Sequence, residues 1–141
     1  MLKVAGRKAG LMPADDEGLY MVDKMIADSL DLADESFKAV GMFGATKEAQ
    51  ANFRDNVCPK HIGNIERQLT GNWFVGNKLS LADVAVYTVL TTNCRNQIPD
   101  VLNNFPKLQA FVKRFEANPN IAAYQKQERF TNLMRFPEIE K

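Results

Sequence analysis

The sequence is poor in the residues that build most recognisable chemical centres. It holds one histidine, His61, and two cysteines, Cys58 and Cys94, in 141 residues. Neither cysteine has another ligand type at metal-site spacing, and a single histidine does not complete a zinc set with them. No metal is therefore expected, and the thiols read as ordinary reduced cysteines of a cytosolic protein. No apolar run approaches the roughly 18 residues of a membrane span. The N-terminus, with Lys3, Arg7 and Lys8 among Ala and Gly, lacks the apolar core of a secretory leader. A cytoplasmic location without a membrane partner is the expectation. Net charge is also nearly absent, eighteen basic side chains standing against seventeen acidic. No broad positive field is available for a phosphate backbone, so nucleic acid is not an expected ligand. Gly/Ser linkers, repeats and low-complexity tracts are missing, and the length suits one domain with a single core.

What is present is helical periodicity. Leu19, Val22, Ile26, Leu30, Ala33, Phe37 and Val40 recur at steps of three and four between Ala14 and Gly41, one stripe of a long amphipathic helix. Asp15, Asp16 and Glu17 crowd its first turn, where the macrodipole favours negative charge. Eight acids and one base, Lys24, lie between Ala14 and Ser36, the pattern of a solvated helix face. A second helix is expected from about Thr46 to Leu69, kinked or broken at Pro59, which has no amide donor. Trp73 to Asn77 is apolar enough for a strand, but its five residues fit a packed connection better. Ser80 as N-cap, Asp83 three residues on, and the flanking pair Leu79 and Val84 predict a capping box with a hydrophobic staple. The helix they open is apolar nearly all round and should be buried centrally. A helix from Phe105-Pro106 to Asn118-Pro119 and a short one at Ile121 to Gln127 follow, then an aperiodic tail from Glu128 to Lys141. The fold class is all-α, a bundle of five or six helices.

The segment Gly71-Asn72-Trp73-Phe74-Val75-Gly76-Asn77-Lys78-Leu79-Ser80-Leu81-Ala82-Asp83-Val84-Ala85-Val86-Tyr87 resembles the signature of the cytosolic glutathione transferases, in which such a connection leads into a capped central helix. Phe105 to Phe115, followed by Asn118-Pro119-Asn120-Ile121, is similar to that family's penultimate helix and its exit. The resemblance implies a C-terminal helical domain over residues 12–141, of sigma-, mu- or pi-like class. Leu2 to Leu11 resembles the last helix of the family's thioredoxin-like domain and its linker, so residues 1–11 are expected to be a remnant of that domain. The rest of it, which binds glutathione and activates its thiol, is not expected in these residues. Tyr20, Tyr87 and Tyr124 do not correspond to a catalytic tyrosine, and no catalytic residue is assigned.

By the same resemblance, this domain supplies a wall of the pocket for a small apolar electrophile and part of a homodimer interface. Phe37, Phe130 and Phe136 are candidates for that wall, with core or tail packing as the alternative. Asp28, which a helical wheel places roughly opposite the apolar stripe, with Met21 and Met25 on its flank, is the candidate to reach glutathione across the dimer. A solvated helix-face acid is the other reading. Leu79, Ser80, Asp83 and Val84 are structural. The implied function is that of a detoxifying glutathione transferase, with glutathione as co-substrate, no resident cofactor, and no activity in this chain alone. The partner is the thioredoxin-like domain or a second protomer. A non-catalytic assembly module, of the kind found in translation-factor complexes, is the alternative function.

Overall fold

Capping groups and prolines set most helix boundaries in the computed structural model, which describes residues 2–40, 45–128, 138 and 139. Helix α1 (Leu2–Lys8) ends where Gly10 turns to φ +69°. There the Leu11 amide donates to the Gly6 carbonyl at 2.9 Å and the Gly10 amide to Arg7 at 3.1 Å. This is a Schellman ending, and it needs a left-handed residue that glycine supplies without strain. Helix α2 (Asp16–Val40) begins behind Asp15, whose Oδ1 accepts from the Gly18 amide at 2.8 Å. Helix α3 (Lys47–Asn52) is capped by Thr46, and α4 (Cys58–Gln68) continues it through a π-helical turn, Phe53–Val57.

That turn is how the chain accommodates Pro59. The ring removes an amide donor and crowds the preceding turn, so a regular helix would kink. Instead the Cys58 amide reaches back to the Phe53 carbonyl, and one extra residue in the turn keeps the rod continuous. Helix α5 (Leu81–Thr88) is extended in the same way by a π turn, Val89–Cys94, into α6 (Arg95–Gln97). A 3-10 turn (Val101–Asn104), α7 (Pro106–Glu116) and α8 (Pro119–Gln125) complete the order. With the continuous segments joined, there are six helical units and no strand among the described residues. Trp73–Asn77 is a packed connection, with Phe74 buried and Trp73 edge-on to Phe111 at 6.1 Å.

The core sits where α2, α4, α5 and α7 converge, around Val22, Met25, Leu32, Ile62, Ile65, Val86, Leu90, Leu108 and Phe111. Helix α2 corrects the sequence reading. Its buried line is Gly18, Val22, Met25, Ser29, Leu32, Ser36 and Ala39; of the more apolar stripe through Leu19, Val22, Ile26, Leu30, Ala33, Phe37 and Val40, Val22 lies on that line, Ile26, Ala33 and Val40 pack against its edge, and Leu30 and Phe37 are exposed. At ~100° per residue the two lines differ by roughly 90°. Small side chains explain the choice, because Gly18, Ser29, Ser36 and Ala39 let α2 settle closely against its neighbours. Ser29 satisfies its hydroxyl by donating to the Met25 carbonyl at 2.7 Å.

Candidate functional site

The entry to α5 is built around Asp83, which is fully buried. Ser80 and Asp83 form the reciprocal capping box. Asp83 Oδ2 accepts from the Ser80 amide and hydroxyl, both at 2.7 Å, and Oδ1 accepts from the Phe74 amide at 2.9 Å. One carboxylate thus fixes both the helix start and the preceding connection. Desolvation pushes its pKa above the usual aspartate value, against the pull of these hydrogen bonds. Leu79 and Val84 are half-buried against the core on either side. Helix α1 joins this region because Gly6 is seated on Leu81, whose Cδ2 would lie 2.9 Å from an added Cβ. The Leu81 amide donates to the Leu11 carbonyl at 2.9 Å.

The second feature is the outward face of α2. Leu30 is 60% exposed and Phe37 37%, while Leu19, Ile26 and Ala33 are half-buried beside them. Helix α1 adds exposed Leu2 and Val4, and Lys3 reaches α2 through Asp23 at 2.6 Å. Of the proposed pocket-wall residues, Phe37 lies on this face, and Phe130 and Phe136 fall outside the described residues.

Asp28 is a quarter-turn from where the helical wheel put it relative to the core. Met25 is fully buried and Met21 half-buried, so the expected outward face of Met21, Met25 and Asp28 does not exist. Asp28 instead lies on the flank that meets α4. Its Oδ2 accepts from Lys24 Nζ at 3.0 Å and from Gln68 Nε2 at 2.9 Å, and Lys24 also donates to Gln68 Oε1. The Lys24 contact was readable as an i,i+4 pair. Gln68, forty residues away, gave no sequence signal.

Two other polar clusters were also invisible in the sequence. Tyr87 stacks on Phe115 at 4.1 Å; its hydroxyl donates to Glu116 at 3.2 Å and accepts from Gln125 at 2.6 Å. Burial, then the Glu116 carboxylate, push its pKa to about 12, so this phenol stays protonated and does not serve as a base near neutrality. Inside the bundle, Gln97 Nε2 donates to Ser36 Oγ at 2.7 Å, and the Gln97 carbonyl accepts from the Ile139 amide at 2.8 Å. Through Gln97, Ile139 is thereby linked to α2. Cys58 and Cys94 are both fully buried, and the influence of the Cys58 thiol, then burial, push the Cys94 thiol well above its ordinary value.

Two open clefts flank these features. One of about 450 Å³ runs between residues 10–15 and 75–80, with Leu11, Met12, Val75 and Leu79 as its apolar lining. The other, of about 440 Å³, lies between the start of α4 and the 98–105 segment. Neither includes Asp28, Phe37 or Tyr87. No group of three His, Cys, Asp or Glu side chains among the described residues could hold a metal ion. No helix among them is long and apolar enough to cross a membrane.

Residues 31–128 match the family model for the glutathione S-transferase C-terminal domain. Curated relatives include glutathione S-transferase Mu 1 of Oryctolagus cuniculus, 45% identical over 64 residues, which are 45% of this chain and 29% of that protein. Glutathione S-transferase Mu 5 of Mus musculus is 37% identical over 87 residues, 56% of this chain and 38% of that protein. Among solved structures, a Pi-class glutathione S-transferase of Onchocerca volvulus superposes with a TM-score of 0.80 at 20% identity, covering 92% of this chain and 64% of that one. That likeness is one of fold. The chain spans less than two-thirds of the length of each of these relatives.

Proposed function

This chain belongs to the glutathione S-transferase family through its C-terminal helical domain, and from that premise we propose that it forms the electrophile-side wall of a glutathione-conjugating transferase. Glutathione itself is bound and activated by a thioredoxin-like domain outside these 141 residues, to which residues 1–11 lead. The observation that carries the reading is the outward apolar face of α2, where Leu30 and Phe37 are exposed although smaller side chains of the same helix are buried. Such a face next to the exposed Leu2 and Val4 of α1 suits a covering domain or a second protomer. Phe37 contributes to the apolar wall, together with Phe130 and Phe136. Asp28 contacts glutathione across a homodimer, held at the α2–α4 boundary by Lys24 and Gln68. The reaction is thiolate attack on a small apolar electrophile, a detoxifying chemistry of the cytoplasm, and the class is mu-, pi- or sigma-like.

The 141-residue chain by itself is catalytically silent under this reading. Its buried phenol is held protonated and the Cys94 thiol is pushed away from ionisation, so neither supplies an activated nucleophile. The test is glutathione-agarose retention with a conjugation assay on a generic aromatic electrophile, after circular dichroism shows folded protein. Neither retention nor turnover is expected from the chain alone. Both should appear when it is fused to the thioredoxin-like domain of a Mu-class relative. Turnover by the isolated chain would overturn the division of labour. A folded fusion that binds glutathione yet never turns over would favour a non-catalytic assembly module.

A further inference from the structure

Helix α8 is held differently from the rest of the bundle. It has seven residues, Pro119–Gln125, and none of them is buried. Isolated helices shorter than about 12–15 residues are marginal in water even with favourable sequences, so α8 persists through what it touches. Pro119 at its first position and the Asn118 side chain, which accepts from the Asn120 amide at 3.0 Å, fix where it starts. They do not bind it to the core. Half-buried Ile121 packs on the core edge, and a gap of about 10 Å³ is left between Ile121, Asn118, Trp73, Leu79 and Phe115. A gap of that size is at the lower limit for one water, and its lining forfeits dispersion contacts.

The far end of α8 is fastened by a side chain. Gln125 Nε2 donates to the Tyr87 hydroxyl at 2.6 Å, across a sequence separation of 38. Tyr87 is itself fixed on the core. Its ring lies flat on Phe115 at 4.1 Å, its hydroxyl donates to Glu116 Oε1 at 3.2 Å, and Arg95 donates to the same oxygen at 2.8 Å. Side chains of α5, α6, α7 and α8 thus meet in one run of donors and acceptors, and of these helices only α8 contributes nothing to the buried core.

We propose that α8 is a detachable strap that opens and melts as a unit while the other helices stay folded, with the Gln125–Tyr87 hydrogen bond as its catch and the Trp73–Leu79–Phe115 edge as the surface it uncovers. Release of the catch loses one neutral hydrogen bond, because Glu116 keeps Arg95 and the Tyr87 ring keeps its stack. Ile121 then lifts from a seat that is already incompletely filled. With both contacts gone, seven residues do not hold helical form. Helix α7 does not follow. Leu108, Phe111, Val112 and Phe115 bury its inner side, and its end closes without α8, the Ala117 amide donating to Lys113 at 3.0 Å and the Asn118 amide to Phe115 at 3.2 Å. Openings confined to a contiguous segment with little buried apolar surface lie at the low-energy end of native-state fluctuations.

The test is native-state hydrogen exchange on the 141-residue chain, read by mass spectrometry of its fragments, together with the fluorescence of Trp73, the sole tryptophan. After correction for intrinsic rates, amides of residues 122–127 should exchange on the order of 100-fold or more faster than those of α7. Trp73 emission should shift at urea concentrations below those at which circular dichroism reports loss of the bundle. Gln125→Met keeps the side chain's length and helix propensity without its amide. It should speed exchange of residues 122–127 by about 2–10-fold, the range that one neutral hydrogen bond supplies, and leave α7 unchanged. Tyr87→Phe should do the same, and the two substitutions together should add nothing beyond the larger single effect, since both remove one bond. Gln125 lies outside the core, so its variant decides the matter even if Tyr87→Phe fails to fold. Equal protection of α8 and α7 in the parent chain would overturn the proposal. So would Trp73 emission that moves only with the global transition, an unchanged α8 rate in Gln125→Met, acceleration of α7 to the same degree, or full additivity of the two substitutions.

Discussion

Replacing Asp83 with alanine should remove more stability than any ordinary surface or capping change. The carboxylate accepts from the Ser80 amide, the Ser80 hydroxyl and the Phe74 amide. The hydroxyl can rotate to another acceptor, but the two amides are fixed by backbone. Leaving a buried donor unpaired costs about 1–3 kcal/mol, so two contribute roughly 2–6. Removing a desolvated carboxylate, whose raised pKa marks its burial as unfavourable, offsets part of this. A net loss of about 3 kcal/mol is expected, a large share of the ~5–15 kcal/mol that holds a domain together. With a urea slope near 2 kcal/mol/M, the midpoint should fall by about 1.5 M with the slope unchanged. Asp83→Asn keeps one carbonyl acceptor and should fall about half as far. The raised pKa also fixes the sign of a pH effect. Between the ordinary aspartate range and the raised value the native state holds the extra proton, so Asp83's contribution to stability declines as pH rises through that window. The difference between the parent chain and Asp83→Asn should carry that slope. Equal midpoints for Asp83→Ala and the parent would refute the reasoning, because the amides would then have found other partners at no cost.

Other consequences are as direct. Leu32→Ala, in the buried line of α2, should cost about 3–5 kcal/mol, whereas Leu30→Glu on the exposed face should shift the urea midpoint by less than a quarter as much. Equal losses would place the buried face where periodicity put it. Gly18→Ala should destabilise α2 despite alanine's helix propensity of about 1 kcal/mol over glycine, because its Cβ would lie 2.5 Å from Pro13 Cβ; a thermal melt that rises would contradict this. Tyr87 holds its proton to about pH 12 when folded, while an unfolded tyrosine loses it near 10. Stability should therefore fall as pH rises through that interval, and Tyr87→Phe should flatten the dependence in urea titrations at alkaline pH.

The legible features were those written in neighbouring residues. Ser80 and Asp83 announce a helix start because both ends of their bonding pattern lie within four residues, and Asp15 and Pro13 mark α2 similarly. The stripe through Leu19, Val22, Ile26, Leu30, Ala33, Phe37 and Val40 was real as a pattern, but it is centred to one side of the line that packs, so that Val22 is core, Ile26, Ala33 and Val40 lie at its edge, and Leu30 and Phe37 face outward. Periodicity counts apolar side chains and gives no weight to the close approach that glycine and serine permit. The same blindness put Met25 and Asp28 on one face, although the first is core and the second bridges to α4. Pro59 signalled a disturbance, and only the three-dimensional helix shows that a π turn absorbs it without a break.

The sequence by itself determined that the chain is helical, where its helices start, and which family its central motif resembles, because helix periodicity, caps and that motif are all encoded over short spans. The tertiary structure decided which face of α2 is buried, that Gln68 joins Lys24 and Asp28, and that Tyr87 keeps its proton. Each of those depends on residues tens of positions apart, and their proximity follows from how closely the helices pack and how the π turns rotate them. No local pattern carries that information.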